Sequence, residues 1–280
     1  GFDSVLENCL DCVASKDYII DLLAAYSSLS VNISRMAEDM YFWATFENGI
    51  LELGGEIANC SSIMPQKRNP TTLEQAKSKS SHVIGCLMAA ITTLKSAPYT
   101  NVMDVFETPT PYFESLDQLH QQLVCLSETV KYTKLRREVA VKKANENLCT
   151  VTSLADYWVK KHKISFTQAH DIVGNIVSIV LERGTLIAGI TPELVKEESQ
   201  KALGWEIDMT QDELNSVLDP VKNVQSKVGF GGPSTSSMER MLKTGKAQLE
   251  ENLAWITGAQ AQVANAYAKL EEKVAALKNA

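Results

Sequence analysis

Long stretches of the sequence repeat apolar residues at the spacing of an α-helix, and this periodicity limits the fold more than any other feature. The first stretch runs from about Lys16 to Phe46. Its apolar residues are Ile19, Leu22, Leu23, Tyr26, Leu29, Ile33, Met36, Met40 and Trp43. A period near 3.6 residues is typical of a helix with one buried face. Because signals for β-strands are nearly absent, we predict an all-α fold.

Two further long helices are predicted on the same grounds. The second runs from Pro70 to about Leu94, and Ser96-Ala97-Pro98 stops it because proline cannot continue a helix. The third runs from about Tyr112 to Asn145, after an irregular segment from Tyr99 to Pro111. Helices of this length predict an extended bundle. Their apolar faces are too broad for a monomer to cover, which favours an oligomer.

Shorter predicted helices replace the long ones near Asn147. They cover about Val151–Lys161, Thr167–Arg183, Pro192–Ala202 and Gln211–Leu218, and Ser165 with Gln168 forms a capping box. We therefore expect three parts. Residues 1–147 form part of a long-helix bundle domain that contains a polar loop at residues 54–70, and residues 148–232 form a small helical domain. Residues 233–280 form a last long helix.

The last helix has its own start signal and its own stripe. Ser236 and Glu239 match a second capping box. Spacings of three and four then alternate along Leu249, Leu253, Ile256, Gln260, Val263, Tyr267, Leu270, Val274 and Leu277. This heptad pattern is typical of a bundle or coiled-coil helix. The stripe is either a surface for a partner or a face that packs on the bundle of the same chain, and the sequence leaves both open.

Composition excludes several classes of protein. The chain has a formal net charge of −7 and no basic stripe, so we expect no nucleic-acid partner. No apolar run approaches a membrane span, and Gly1-Phe2-Asp3 does not begin a signal peptide. The cysteines follow no disulfide-framework spacing, which indicates reduced thiols and a cytoplasmic protein. Cys9-Leu10-Asp11-Cys12 lacks a second cysteine pair, so we expect no metal and no cofactor.

The stretch richest in reactive groups is Cys60-Ser61-Ser62-Ile63-Met64-Pro65-Gln66-Lys67-Arg68-Asn69-Pro70. Gly54 and Gly55 precede it and favour a mobile loop. Asn69 is predicted to cap the helix that begins at Pro70, and such an N-terminus beside Lys67 suits a carboxylate. An ordinary surface loop followed by a capped helix would contain the same residue types.

As a whole, this string resembles the signature G-S-S-x-M-P-x-K-x-N-P of the fumarase/aspartase/argininosuccinate lyase superfamily. It departs from that signature at Cys60, where the family usually has glycine. Residues 1–8, 154–157, 165–170, 217–220 and 228–233 further resemble argininosuccinate lyases. The resemblance implies a long-helix bundle with a small C-terminal helical domain. It also implies a small-molecule substrate and a homotetramer whose active sites combine segments from three subunits.

The resemblance also implies roles for single residues. Ser61 matches the catalytic serine, which takes a proton next to a carboxylate. Lys67 and Asn69 match the ligands of the fumarate carboxylate, and Ser62 and Met64 complete the contacts of the loop. The family varies at Arg68, which is as well explained by a surface charge.

Two departures from the family pattern qualify the resemblance. The family has two more active-site segments, around H-x-G-x-S-x-N and T-H-x-Q, and neither occurs here. We therefore expect a C-terminal part of a longer protein, or a subunit completed by another chain, that is inactive alone. In the irregular segment, Asn101, Phe106 and Pro109 stand where argininosuccinate lyases grip the amino-acid part of the substrate with Tyr, Gln and Lys. Asn101 is the candidate substrate ligand in this segment.

The function that the resemblance implies is a lyase that cleaves a C–N bond by anti β-elimination and releases fumarate. Argininosuccinate, cleaved to arginine and fumarate in arginine biosynthesis, is the expected substrate. One alternative is a related lyase that acts on another N-substituted aspartate. The other alternative, from a different class, is a catalytically inert structural paralogue.

Overall fold

The computed structural model describes Phe2 and residues 4–278, and these residues are overwhelmingly helical. The all-α prediction is confirmed. The chain divides into two compact units, one of residues 4–139 and one that contains residues 140–278. The division into three domains that we inferred from the sequence remains a prediction. Within the described part of the chain, no helix has both the length and the apolar character to cross a membrane.

Three long helices form the body of the first unit. The elements of this unit are α1 (Cys9–Ala14), α2 (Asp17–Trp43), β1 (Leu51–Leu53), β2 (Asn59–Cys60), β3 (Arg68–Asn69), α3 (Thr71–Leu94), α4 (Met103–Glu107), α5 (Pro109–Tyr132) and β4 (Thr133–Leu135). A further helix, α6 (Arg137–Glu146), crosses from the first unit into the second. Helices α2, α3 and α5 pack on one another, as the predicted bundle requires.

Small and branched apolar side chains fill the space between these three helices. Fully buried members include Leu23 and Ala37 of α2 and Leu73, Ala76 and Val83 of α3. Burial of such side chains is the main favourable contribution to the stability of a bundle. Of the residues predicted on the face of the first long helix, Ile19, Leu23, Ile33 and Met40 are buried. The others include Leu22, Leu29, Met36 and Trp43, which are exposed, so the predicted face is wider than the buried one.

A buried polar cluster also joins the three helices. The Oγ of Ser30 (α2) donates to Oε1 of Gln122 (α5) at 2.6 Å. The Nε2 of Gln122 donates to the carbonyl oxygens of Ser30, at 3.1 Å, and of Ala76 (α3), at 2.9 Å. Ser30, Ala76 and Gln122 have no exposed surface. The cluster fixes how the helices are aligned along their axes, because a shift of one turn would leave these polar groups without partners.

The prediction of one helix from Tyr112 to Asn145 was wrong. Helix α5 ends at Tyr132, strand β4 follows, and α6 begins at Arg137. Strand β4 pairs antiparallel with β1, so that Leu51 lies opposite Leu135 and Leu53 opposite Thr133. The backbone groups that would continue the helix instead form hydrogen bonds with β1. In the last helical turn, the Oγ1 of Thr133 also donates to the carbonyl of Thr129 at 2.6 Å, so a side chain occupies that carbonyl.

The second unit consists of shorter helices around its own apolar core, followed by one long helix. Its elements are α7 (Val151–His162), α8 (Phe166–Glu182), a 3-10 helix (Leu186–Gly189), α9 (Pro192–Leu203), α10 (Gln211–Leu218), α11 (Pro220–Ser226) and α12 (Thr235–Lys278). Trp158 is fully buried in this core, together with Ile172, Ile176, Ile207 and Leu214. All four predicted short helices are confirmed, whereas α11 was missed.

One of the two predicted capping boxes is confirmed. Ser165 and Gln168 make both reciprocal contacts at the start of α8. At α12 the prediction was wrong, because the helix begins at Thr235 and Ser236 lies inside it. Ser234 takes the capping role there, since its Oγ accepts from the N–H of Ser237 at 3.3 Å.

Candidate functional site

Residues 61–67, which lie within the predicted polar loop of residues 54–70 and are called the signature loop below, are closed at their base by a short hairpin. Strands β2 and β3 pair antiparallel, with Asn59 opposite Asn69 and Cys60 opposite Arg68. Beyond this ladder, the N–H of Ser61 donates to the carbonyl of Lys67 at 3.3 Å. The hairpin therefore brings the backbones of Ser61 and Lys67 together, so that both side chains start from the same end of the loop.

The hydroxyl oxygen of Ser61 is held by backbone donors of its own loop. Its Oγ accepts from the N–H of Ile63 at 3.3 Å and from the N–H of Met64 at 3.2 Å. Ser61 is half-buried, whereas its neighbours from Ser62 to Arg68 are exposed. Serine hydroxyls often form turns of this kind in loops. Two N–H groups aimed at one oxygen also stabilise a negative charge on that oxygen.

The predicted carboxylate ligands lie at the end of the same loop. Lys67 is exposed, and its N–H donates to the carbonyl of Met64 at 3.0 Å. Asn69 is half-buried in β3. The prediction that Asn69 caps the next helix was wrong, because α3 begins at Thr71 after Pro70 and has no side-chain cap. Asn69 is one residue too early for that role, and its carbonyl accepts from Thr71 Oγ1 at 3.4 Å.

The base of the loop is attached to the pairing of β1 with β4. The guanidinium of Arg68 donates to the carbonyl of Leu53 at 3.3 Å. The N–H of Gly54 donates to the carbonyl of Tyr132 at 2.8 Å, at the end of α5. A Cβ at Gly54 would lie 2.8 Å from that carbonyl oxygen, whereas a Cβ at Gly55 would meet no atom within 4 Å. Gly54 thus serves close packing at the loop base rather than the loop mobility that the sequence suggested.

The structure does not bring Asn101 to this loop within one chain. The loop precedes α3, and Asn101 lies in the exposed segment after the other end of that helix. A helix of 24 residues is about 36 Å long. Phe106 and Pro109 lie on the same side as Asn101, at the end of α4 and the start of α5. One copy of the chain therefore offers two separate sets of candidate residues, one at each end of α3.

Contacts outside the signature loop were not predicted from the sequence. Tyr132 and Leu53 support the loop through backbone carbonyls, which leave no signature in residue type. At the opposite end of α3, the hydroxyl of Tyr99 donates to the carboxylate of Asp11. This hydrogen bond raises the pKa of Tyr99 and ties the segment that carries Asn101 to α1.

Comparison with known proteins supplies independent evidence on the family. A sequence model of the lyase family matches residues 1–85, and a model of the argininosuccinate lyase C-terminal domain matches residues 148–225. Argininosuccinate lyase 1 of Shouchella clausii is 33% identical over 91% of this chain and 50% of its own length. The argininosuccinate lyase of Methanosarcina acetivorans is 31% identical over 98% of this chain and 55% of its own.

Solved structures agree with the sequence comparison. An EDDS lyase in complex with formate has a TM-score of 0.86 at 28% identity, over 94% of this chain and 52% of the other. A substituted EDDS lyase with bound fumarate matches equally well. A 3-carboxy-cis,cis-muconate lactonizing enzyme from Pseudomonas putida, at 11% identity and a TM-score of 0.58, shares the fold. The chain spans about half the length of the curated relatives it matches, and over that span it is similar in sequence to argininosuccinate lyases and in structure to EDDS lyase.

Proposed function

We propose that the chain supplies part of the active site of a lyase that breaks a C–N bond by anti β-elimination and releases fumarate. The observation that carries this proposal is the pair of N–H groups, from Ile63 and Met64, that hold the Oγ of Ser61. A serine hydroxyl is normally far too weak a base to take a proton from carbon. Donors that stabilise the alkoxide lower the free energy of the deprotonated serine and make that step accessible.

The elimination needs a defined path for protons and electrons. Ser61 takes the proton from the carbon next to a carboxylate, and the electron pair of that C–H bond forms the double bond of fumarate. The C–N bond breaks, and the nitrogen leaves with its electron pair and receives a proton from an acid. Lys67 and Asn69 bind the carboxylate on which negative charge accumulates, and the backbone around Ser62 and Met64 lines the same loop.

Argininosuccinate is the first candidate substrate, since the relatives that match most of the chain are named argininosuccinate lyases. Arginine would then be the second product. Another N-substituted aspartate is the second candidate, and two observations favour it. Two of the matched solved structures are EDDS lyases, one of them with bound fumarate. Phe106 is 61% exposed on α4, where a polar grip on an amino acid was expected from the family.

We further propose that the site is assembled from several copies of the chain, in a homotetramer. Asn101 lies about 36 Å from the signature loop along α3, so a single copy cannot use both on one small substrate. Leu22, Leu29, Met36 and Trp43 recur at every seventh position of α2 and are 37–46% exposed. A stripe of this kind is typical of a helix that packs against another helix.

Substitution of Ser61 tests the role of the base. In the complete protein, Ser61→Ala should lower the rate of fumarate release from argininosuccinate at least about 1,000-fold, followed by ultraviolet absorbance. Ser78→Ala, in the exposed surface of α3, is the matched control and should leave the rate unchanged. These 280 residues alone should show no turnover. Near-normal turnover by Ser61→Ala would refute the assignment, and absence of both turnover and fumarate binding in the unsubstituted protein would favour an inert paralogue.

Mixing two variants tests the shared site. Ser61→Ala and Asn101→Ala should each be impaired alone. If one site takes Ser61 and Asn101 from different copies, co-assembled variants regain sites in which both residues are intact. Fumarate release by the mixture should then exceed the sum of the separate activities. A purely additive result would contradict the sharing of these two residues.

A further inference from the structure

The rest of its unit covers very little of the surface of the last helix of the chain. Helix α12 has 44 residues, which corresponds to about 66 Å. Ser237 is its only buried residue. The hydroxyl of Ser237 donates to the carbonyls of Val228 and Gly229 at 3.3 and 3.2 Å, and the side chain of Gln225 contacts Thr235. These contacts hold the start of the helix, where Arg240 also lies over the ring of Phe230, and no residue of the later turns is buried.

The heptad stripe predicted on this helix is present and exposed. Its apolar members are 43–78% exposed and comprise Leu249, Leu253, Ile256, Val263, Tyr267, Leu270, Val274 and Leu277. Alternating spacings of four and three place all of them, together with Gln260, on one seam. A long helix draws most of its stability from packing of such a face, so the seam requires a partner helix.

We propose that α12 pairs in parallel and in register with α12 of a second copy of the chain. Gln260 decides between the two possible directions. In a parallel pair it faces the Gln260 of the other copy, and two carboxamides can bond to each other. In an antiparallel pair that overlaps the seam fully, Gln260 faces Val263, and each carboxamide is buried without a partner. An unpaired buried amide is costly, whereas a single paired polar residue in such a seam sets its register.

The residues beside the seam fit the parallel pair as well. In its middle the flanks are small, with Ala259 and Ala266 on one side and Ala264 on the other, so two helices can approach closely. An antiparallel pair would bring Glu250 opposite Glu271 at both ends of the overlap. In the parallel pair these carboxylates lie beside Gly245 and Ala266, and like charges meet only at the C-terminal end of α12, between Lys273 and Lys278.

Single substitutions on the seam and off it test the pairing. Val263→Glu places a charge in a central layer and should weaken association through α12 about 100-fold or more. Asn265→Glu adds the same charge on the outer face of the same helix and should leave association unchanged. Sedimentation of the 280-residue chain without substrate should show a smaller assembly for Val263→Glu alone. Equal masses for both variants and the unsubstituted chain would overturn the proposal.

A cross-link tests direction and register. Under mild oxidation, Gln260→Cys should form a disulfide between two copies of residue 260, because the Cα atoms of such a layer are about 6 Å apart. Peptide mass spectrometry separates this link from those of the native thiols, and Asn265→Cys is the control. Absence of the link between the two copies of residue 260, or an equal yield for Asn265→Cys, overturns the parallel pair. A lower melting temperature of Val263→Glu with unchanged mass would show packing within one chain and also overturn it.

This pairing deepens the oligomer proposed above but does not depend on lyase activity. The two failures are distinguishable. Loss of the α12 pair would leave fumarate release by the complete protein as the separate test of Ser61. Met36→Glu probes association through α2 in the same sedimentation experiment, so a loss of mass in that variant alone assigns assembly to the bundle.

Discussion

The buried carboxamide of Gln122 allows a quantitative test of what aligns the bundle. Gln122→Met keeps the volume of the side chain and removes three hydrogen bonds that reach α2 and α3. Net contributions of about 1 kcal/mol for each buried bond suggest a loss of about 2–4 kcal/mol. The two carbonyl acceptors also belong to helices, which favours the lower half of this range. The hydroxyl of Ser30 loses its acceptor and can turn to a carbonyl of its own helix.

A double-mutant cycle separates the network from simple packing. Ser30→Ala removes the other partner of the 2.6 Å bond and leaves the Oε1 of Gln122 buried without a donor. The double variant loses that hydrogen bond only once, and neither the Oγ of Ser30 nor the Oε1 of Gln122 remains to be left without a partner. It should therefore be about 1 kcal/mol more stable than the two separate losses predict. Additive losses would show that the two side chains do not act as a pair.

The assay must report on the bundle and not on the whole chain, because two units need not unfold together. Hydrogen exchange at increasing urea, read from peptides of α2, α3 and α5, gives the free energy of opening of this unit. Peptides of α7 and α8 serve as the internal reference. Gln121→Met, one residue away and exposed, should change the opening free energy by less than about 0.5 kcal/mol. Equal effects of Gln121→Met and Gln122→Met would refute the role assigned to the network.

Three further changes have defined outcomes. Gly54→Ala should lower the hydrogen-exchange protection of the β2–β3 hairpin by about 1–3 kcal/mol, because its Cβ would lie 2.8 Å from the carbonyl oxygen of Tyr132. Gly55→Ala is the control. Equal protection in the two variants would contradict this reasoning. Met36→Glu should reduce the sedimenting mass of the complete protein, whereas Glu38→Gln on the same helix should not. Lys161 and then Tyr157 lower the pKa of Glu213, so this carboxylate adds stability above its unfolded pKa and loses it as the pH falls through the folded pKa. Glu213→Gln should therefore make the free energy of unfolding of the second unit fall less steeply as the pH is lowered. An unchanged pH dependence would contradict the pairing of Glu213 with Lys161 and Tyr157.

Local signals account for what the sequence predicted correctly. Ser165 with Gln168 begins α8, and Pro192 is the first residue of α9, so these boundaries follow from a few adjacent residues. The end of α5 at Tyr132 could not be predicted in this way. It depends on the pairing of β4 with β1, which lies far earlier in the chain. Patterns among residues that are adjacent in the sequence do not reveal a strand partner that is distant in the sequence.

The same distinction explains how much of the candidate site was accessible from the sequence. Ser61, Lys67 and Asn69 lie within one hairpin, so their spacing alone brought them together. The two N–H donors at Ser61 depend on the turn that the loop adopts, and side-chain types do not specify it. Asn101 belongs to the other end of α3, so the spacing within one chain does not bring it to Ser61. Only the oligomer proposed above would do so. If sites are shared between copies as proposed, each chain can keep the loop that is proposed to bind fumarate while the opposite end changes. Phe106 and Pro109 depart from the family pattern at that opposite end, whereas the signature loop departs from it only at Cys60. The proposed sharing of sites predicts such a division.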